Sequence, residues 1–269
     1  WTAMERSLEI CEDRATCGET YAELAYQTVS RAGMWKTAPD RELVAGWIEQ
    51  ARTLAAPESE AQAKALLAAV MWGDAPEHES LLEAGRIAER LGKPELRCDA
   101  LWLRGAEAYQ GGRFEEALTW WQHVLDVLPE VADPGFVADT LIAPIPACVM
   151  LGRFDEARRL AAAADAALAR LTPHHRVHGV SAVVELEELL AGWERIDGLA
   201  PVVEEAVAGN LDTPCVLNSR LLLAAALARL ALGDADEAER LEREADALGM
   251  EGFPGLLGPL RIRLALERG

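Results

Sequence analysis

Gly112-Arg113-Phe114-Glu115-Glu116-Ala117-Leu118 returns forty residues later as Gly152-Arg153-Phe154-Asp155-Glu156-Ala157-Arg158. A third copy stands at Gly233-Asp234-Ala235-Asp236-Glu237-Ala238, and a blurred one at Arg195-Ile196-Asp197-Gly198-Leu199 lies between them. A fixed period near 40 residues marks stacked helical hairpins, in which no single unit buries its own apolar face. The period therefore points to one continuous array over residues 1–269 rather than to two independently folded domains.

Composition supports helices. Ala and Leu dominate, Val, Ile and Thr are sparse, and only four Phe and three Tyr occur. The net charge of -19 repels a phosphate backbone, and no basic run longer than Arg158-Arg159 offsets it, so direct nucleic-acid binding is not expected. The acidity reads as a means of keeping an alanine-rich helical array soluble. Cys11, Cys17, Cys98, Cys148 and Cys215 are an odd number without zinc spacing. No signal segment and no apolar run of about 18 residues accompanies them, so the chain is expected in the reducing cytoplasm and not in a membrane. Trp1 is not an initiator methionine, and the chain reads as excised from a longer one.

Taken in order, residues 1–12 read as the second helix of a hairpin whose first helix is missing. Tyr21, Leu24, Ala25, Thr28 and Val29 have helical spacing between Gly18 and Ala32, and Gly33 ends that helix. Pro39, Pro57 and Pro76 open the next ones, to Leu54, over 58–72 and over 77–91. Further helices are expected over 95–110, 114–128, 135–151, 154–171, 174–192, 196–209, 214–232, 235–248 and 255–268. Pro144 and Pro146 fall inside 135–151 and should kink or split it.

In the clearest unit, Gly105 lacks a side chain where two helices must approach closely, and Gly112 supplies a turn that a Cβ would crowd. Ala117 packs under the first helix, Trp121 fills the gap between units, and Pro129 closes the second helix. Together these positions resemble the tetratricopeptide repeat, with two departures: Arg104 replaces the family's Leu, and Ala108 its Tyr. The period exceeds the family's 34, which is similar to the longer variant in MalT-type regulators and in bacterial signalling ATPases with a cyclase domain. Tyr21-Ala22-Glu23-Leu24-Ala25-Tyr26-Gln27-Thr28, Arg31-Ala32-Gly33-Met34-Trp35 and Glu42-Leu43-Val44-Ala45-Gly46-Trp47-Ile48-Glu49-Gln50-Ala51 look like the first hairpin of such arrays. The resemblance implies an all-α, right-handed superhelical solenoid of about six hairpins with flanking helices. No phosphate loop is present.

Chemistry is poorly motivated. His174 and His178 share one helix face, a spacing that can hold a transition metal, but two ligands are not a site. No Cys or Asp lies at a matching turn, and the stretch reads as an exposed helix start. Glu185, Glu187 and Glu188 read as a solvated face rather than as an acid/base pair.

The tryptophans carry more information. Trp47, Trp120 and Trp121 fall on second helices, where burial between units is expected, while Trp72 and Trp102 fall on first helices, which line the concave side in the resembled fold. By that register Asp99, Trp102, Ala106, Tyr109 and Gln110 face a groove. Asp139, Ile142, Pro146 and Val149 follow in the next unit, and Arg220, Leu223, Leu227 and Leu230 in the sixth. Trp102 equally suits the core, packed against the hairpin of Trp72.

A groove polar at one end and apolar at the other suits an amphipathic helix or extended segment. The expected function is a non-catalytic interaction or regulatory module that binds a protein or peptide, including the absent ATPase or cyclase portion. Asp99, Trp102, Tyr109, Gln110, Asp139 and Arg220 are the candidate contacts. A small-ligand or signalling-peptide sensor is the alternative, and an enzyme the least motivated reading. No cofactor or metal is implied, and the sequence sets no oligomeric state.

Overall fold

A computed structural model describes residues 11–73, 77–131, 134–250 and 254–269, together with Arg6 and Leu8. All regular structure among them is helical. The α-helices are α1 (Arg14–Ser30), α2 (Arg41–Leu54), α3 (Glu60–Trp72), α4 (Glu77–Leu91), α5 (Pro94–Gln110), α6 (Phe114–Val127), α7 (Pro134–Ile142), α8 (Pro144–Met150), α9 (Phe154–Leu168), α10 (Pro173–Leu189), α11 (Trp193–Gly198), α12 (Ala200–Gly209), α13 (Val216–Ala231), α14 (Ala235–Ala247) and α15 (Pro254–Arg268). The helix expected over 1–12 lies largely outside the described residues.

Helix starts follow local chemistry. The Asp13 carboxylate accepts from the Ala15 and Thr16 amides, Asp40 from Leu43 and Ser59 from Gln62, each satisfying donors that an opening turn leaves without partners. Thr172 caps α10 in the same way, with Pro173 in its first turn.

Helix ends repeat one device. Gly112 sits at φ 74°, its amide donates to the Tyr109 carbonyl (3.0 Å), and the Arg113 amide reaches back to Ala108 (2.8 Å). This pair of bonds, closed by a left-handed residue, is the Schellman motif. Gly152 (φ 72°) and Gly233 (φ 91°) repeat it, through Arg153 to Cys148 and Asp234 to Arg229.

The intermediate copy stands four residues upstream of where the sequence pattern placed it. Ala191 (φ 52°) is its left-handed residue, and the Gly192 amide donates to Glu187 at 2.7 Å. The turn residues Gly112, Gly152, Ala191 and Gly233 are thus spaced by 40, 39 and 42. Five residues beyond each lies Ala117, Ala157, Ile196 or Ala238, all fully buried. An alanine in place of glycine at the turn disguises this copy.

Prolines break two of the expected helices. The stretch 135–151 divides at Ala143, because Pro144 and Pro146 have no amide hydrogen to continue the ladder. Residues 196–209 divide at Leu199, where Pro201 does the same.

Contacts sort the chain into two compact units, Trp1–Arg31 with Pro39–Phe136, and Ala32–Ala38 with Val137–Gly269. In the first, α1 packs on α2 and α3, and α3, α4, α5 and α6 pack in succession. Its core gathers Leu24, Trp47, Ile48, Leu67, Leu81, Ile87 and Leu96. In the second, α13 is the hub, with α10, α11, α12, α14 and α15 against it. Leu221, Leu223 and Leu227 of α13 meet Leu241 of α14 and Leu257, Leu260 and Leu264 of α15 in one apolar cluster.

Gly105 answers to close packing. A Cβ there would lie 2.7 Å from Cδ1 and Cε2 of Trp121. The Trp121 indole donates to the Trp102 carbonyl at 3.2 Å, which holds the ring in place. Trp47 and Trp121 are buried as expected, but Trp120 is only half-buried, its ring covered by the Arg104 guanidinium 3.4 Å from the centroid. That stacking gives Arg104 a role where the repeat family carries Leu.

Cys11 and Cys17 form a disulfide, while Cys98, Cys148 and Cys215 are buried and in no disulfide. A disulfide is not what the expected reducing compartment favours. Among the described residues no helix is long and apolar enough to cross a membrane.

Two substitutions should move stability in opposite directions. Gly105→Ala forces the Trp121 ring aside and should cost about 1–3 kcal/mol. Ala191→Gly relieves a left-handed alanine and should add about 0.5–1 kcal/mol after the entropy of the new glycine is counted. Urea unfolding followed by circular dichroism reads both.

Candidate functional site

The first-helix positions of the first unit are largely committed to packing. Asp99 accepts a hydrogen bond from the Tyr26 hydroxyl, linking α5 to α1. Burial, and then the Asp99 charge, push the Tyr26 phenol above its ordinary range. Tyr109 lies edge-on to Phe114 at 5.4 Å and tilted against Trp121 at 6.1 Å, so it closes the hairpin from inside. Trp102 is half-buried, and its indole nitrogen is enclosed without an acceptor among the described residues. Trp72 is alike in this, with Arg41 stacked over its ring at 5.4 Å. Gln110 is exposed.

A cleft in the same unit is lined by Glu19, Thr20, Glu23, Ser59, Glu60 and Lys64. Lys64 bridges Glu23 and Glu60 at 2.7 Å each, so its one ammonium meets two carboxylates.

In the second unit Arg220 is not a surface contact. Its side chain is 7% exposed and donates to Glu188 at 2.9 Å, with Glu185 3.8 Å away. Glu188 also receives Arg263 at 3.0 Å. Leu223 and Leu227, expected in the same groove, are core residues. The register argument fails here because α10, α11, α12, α14 and α15 all pack against α13. Two of the three carboxylates expected on a solvated face are internal: Glu188 is held by Arg220, and Glu187 is buried and paired with Arg195 at 2.9 Å and Arg158 at 3.8 Å, while Glu185 stays partly exposed. The unit therefore encloses an arginine–glutamate pair within an acidic chain, and sequence spacing on one helix could not show partners 32 and 75 residues away.

The histidines also depart from expectation. His175 is buried, with Nδ1 2.7 Å from the Thr172 hydroxyl that caps the helix. The His174 and His178 rings stand 4.7 Å apart, and His178 is only 19% exposed. Burial foremost, then the neighbouring His174 and His175, holds the His178 imidazolium down to a pKa of about 4. Two groups from remote sequence complete the surroundings. Cys215, the residue preceding α13, brings Sγ to the pair, and the ligand atoms of His174, His178 and Cys215 all lie within 4.8 Å of one another. Asp139 of α7 places Oδ1 4.0 Å from His178 Nδ1. Burial raises the Cys215 thiol above its ordinary range, and the Asp139 charge adds to the effect. Asp139 is exposed, as a groove position would be, but it neighbours this cluster.

No protein-family model matches this sequence, and a search among curated proteins returns no match.

Arg220→Met should cost about 2–3 kcal/mol, since it strands much of the Glu188 charge in the interior, whereas a groove-facing arginine would change stability by less than about 0.5 kcal/mol. The double variant Arg220→Met with Glu188→Met should recover most of the loss. Denaturant midpoints of the three proteins check this.

Proposed function

We propose that this chain is a helical-repeat recognition module whose hairpins stack in the right-handed manner of tetratricopeptide-like arrays and bind a protein or peptide segment. In that role it serves as the regulatory arm of a larger bacterial signalling protein. The observation that carries the reading is the recurrence of one turn, a left-handed residue followed five positions later by a fully buried small or branched residue, at Gly112, Gly152, Ala191 and Gly233. A repeat of this kind commits each hairpin to packing on its neighbours and leaves first-helix side chains to vary for recognition.

The contact set is narrower than register alone would give. In the first unit Gln110 is exposed and Trp102 is half-buried, so these two remain the recognition positions, while Asp99, Tyr109 and Arg220 support the scaffold and Asp139 neighbours the histidine cluster of the second unit. An amphipathic segment would cover the aromatic side chain and satisfy the polar one.

Panning a displayed library of helical and extended peptides against the immobilised chain tests this. Selected peptides should lose at least tenfold in affinity to Gln110→Ala and to Trp102→Phe, and should be indifferent to Thr119→Ala on the exposed side of α6. If no peptide binds, or if only Thr119→Ala weakens binding, the reading is wrong.

A further inference from the structure

We propose that His174, His178 and Cys215 form a binding site for a zinc-class transition metal, with the Asp139 carboxylate or a water as the fourth ligand. The proposal is independent of the recognition role. It rests on two side chains of α10 and one from the residue preceding α13, whose ligand atoms converge within 4.8 Å, and on a carboxylate of α7 beside them.

The donor set is selective. Two imidazoles and one thiolate suit zinc, cobalt or copper and disfavour magnesium and calcium, which take oxygen. Metal–nitrogen bonds near 2.0–2.1 Å and a metal–sulfur bond near 2.3 Å in a tetrahedron put ligand atoms about 3.3–3.8 Å apart. The side chains must therefore close by about 1 Å from a 4.8 Å spread, which rotation about χ angles supplies without moving a helix.

The surroundings direct the ligands. The Thr172 hydroxyl engages His175, the one member of the trio that is not among the three converging residues, and so holds it aside from them. His174 and His178 sit four residues apart on α10, which places both rings on one face toward Cys215. Cys215 is buried at the start of α13, the hub of the unit, while Asp139 is exposed and leaves an entry path. The thiol proton would leave to solvent on coordination. Such an ion ties α10 to α13 and steadies the unit; it performs no reaction.

The chelator-stripped full chain, titrated with Co2+ as a spectroscopic probe and then with Zn2+, tests the proposal. One equivalent of cobalt should bind with the strong visible bands of four-coordinate geometry and a thiolate-to-cobalt charge-transfer band in the near ultraviolet. Zinc should displace it and raise the melting temperature by several degrees. Cys215→Ser should abolish the charge-transfer band, His174→Ala and His178→Ala should each weaken binding at least tenfold, and His123→Ala on exposed α6 should behave as the parent. Absence of stoichiometric binding overturns the proposal, as does a six-coordinate spectrum or binding that survives both Cys215→Ser and His178→Ala. The parent spectrum reports the thiolate directly, so the proposal remains open to refutation even if a variant fails to fold.

Discussion

A helix can be followed at once by an antiparallel partner only if its last carbonyls are satisfied while the chain reverses, and in this protein a left-handed residue does that work. At Gly112, Gly152 and Gly233 the positive φ costs nothing because there is no Cβ, and the two reverse hydrogen bonds cover the helix end. Ala191 shows that the geometry matters more than the residue: it takes the same conformation at φ 52° despite the steric cost. With the reversal set, Ala117, Ala157, Ile196 and Ala238 arrive at equivalent buried places. Close approach is the second requirement. Gly105 meets Trp121 where any side chain would collide, and Gly18 meets the Leu54 and Ala55 backbone in the same way.

Charge is handled inside as well as outside. In a chain of net charge -19, Arg220 and Arg263 converge on Glu188, and Arg195 and Arg158 on Glu187. Only the Arg220–Glu188 pair is enclosed on both sides, so that losing either partner strands the other, whereas Arg263, Arg195 and Arg158 reach their glutamates from the solvent side. They link α10 to α11, α13 and α15, and they enclose Glu187 and Glu188 of an acidic stretch that looks solvated on paper. The histidine cluster belongs to the same helix. Burial holds the His178 imidazolium well below its ordinary range.

The candidate site was partly legible. Trp102 suits groove and core equally by its spacing, and the structure gives it a half-buried position with its carbonyl holding Trp121. By register Tyr109 and Asp99 face a groove, yet each is engaged by a partner that register does not reveal, Phe114 across a turn and Tyr26 from another hairpin. Cys215 gave no signal at all beside His174 and His178, since thirty-seven residues separate it from the nearer one.

Helix-forming composition, the forty-residue recurrence and the prolines act through neighbours a few positions away, so the all-helical character, the turns at Gly112, Gly152 and Gly233 and the break at Pro144 can be read from the chain alone, whereas the turn at Ala191 cannot. The side-chain partners could not. Whether Arg220 faces water or Glu188, and whether two histidines meet a cysteine, depends on which helix faces lie together after packing. A rotation of one residue about a helix axis, some 100°, exchanges buried for exposed without altering any local preference, and only the packed structure decides it.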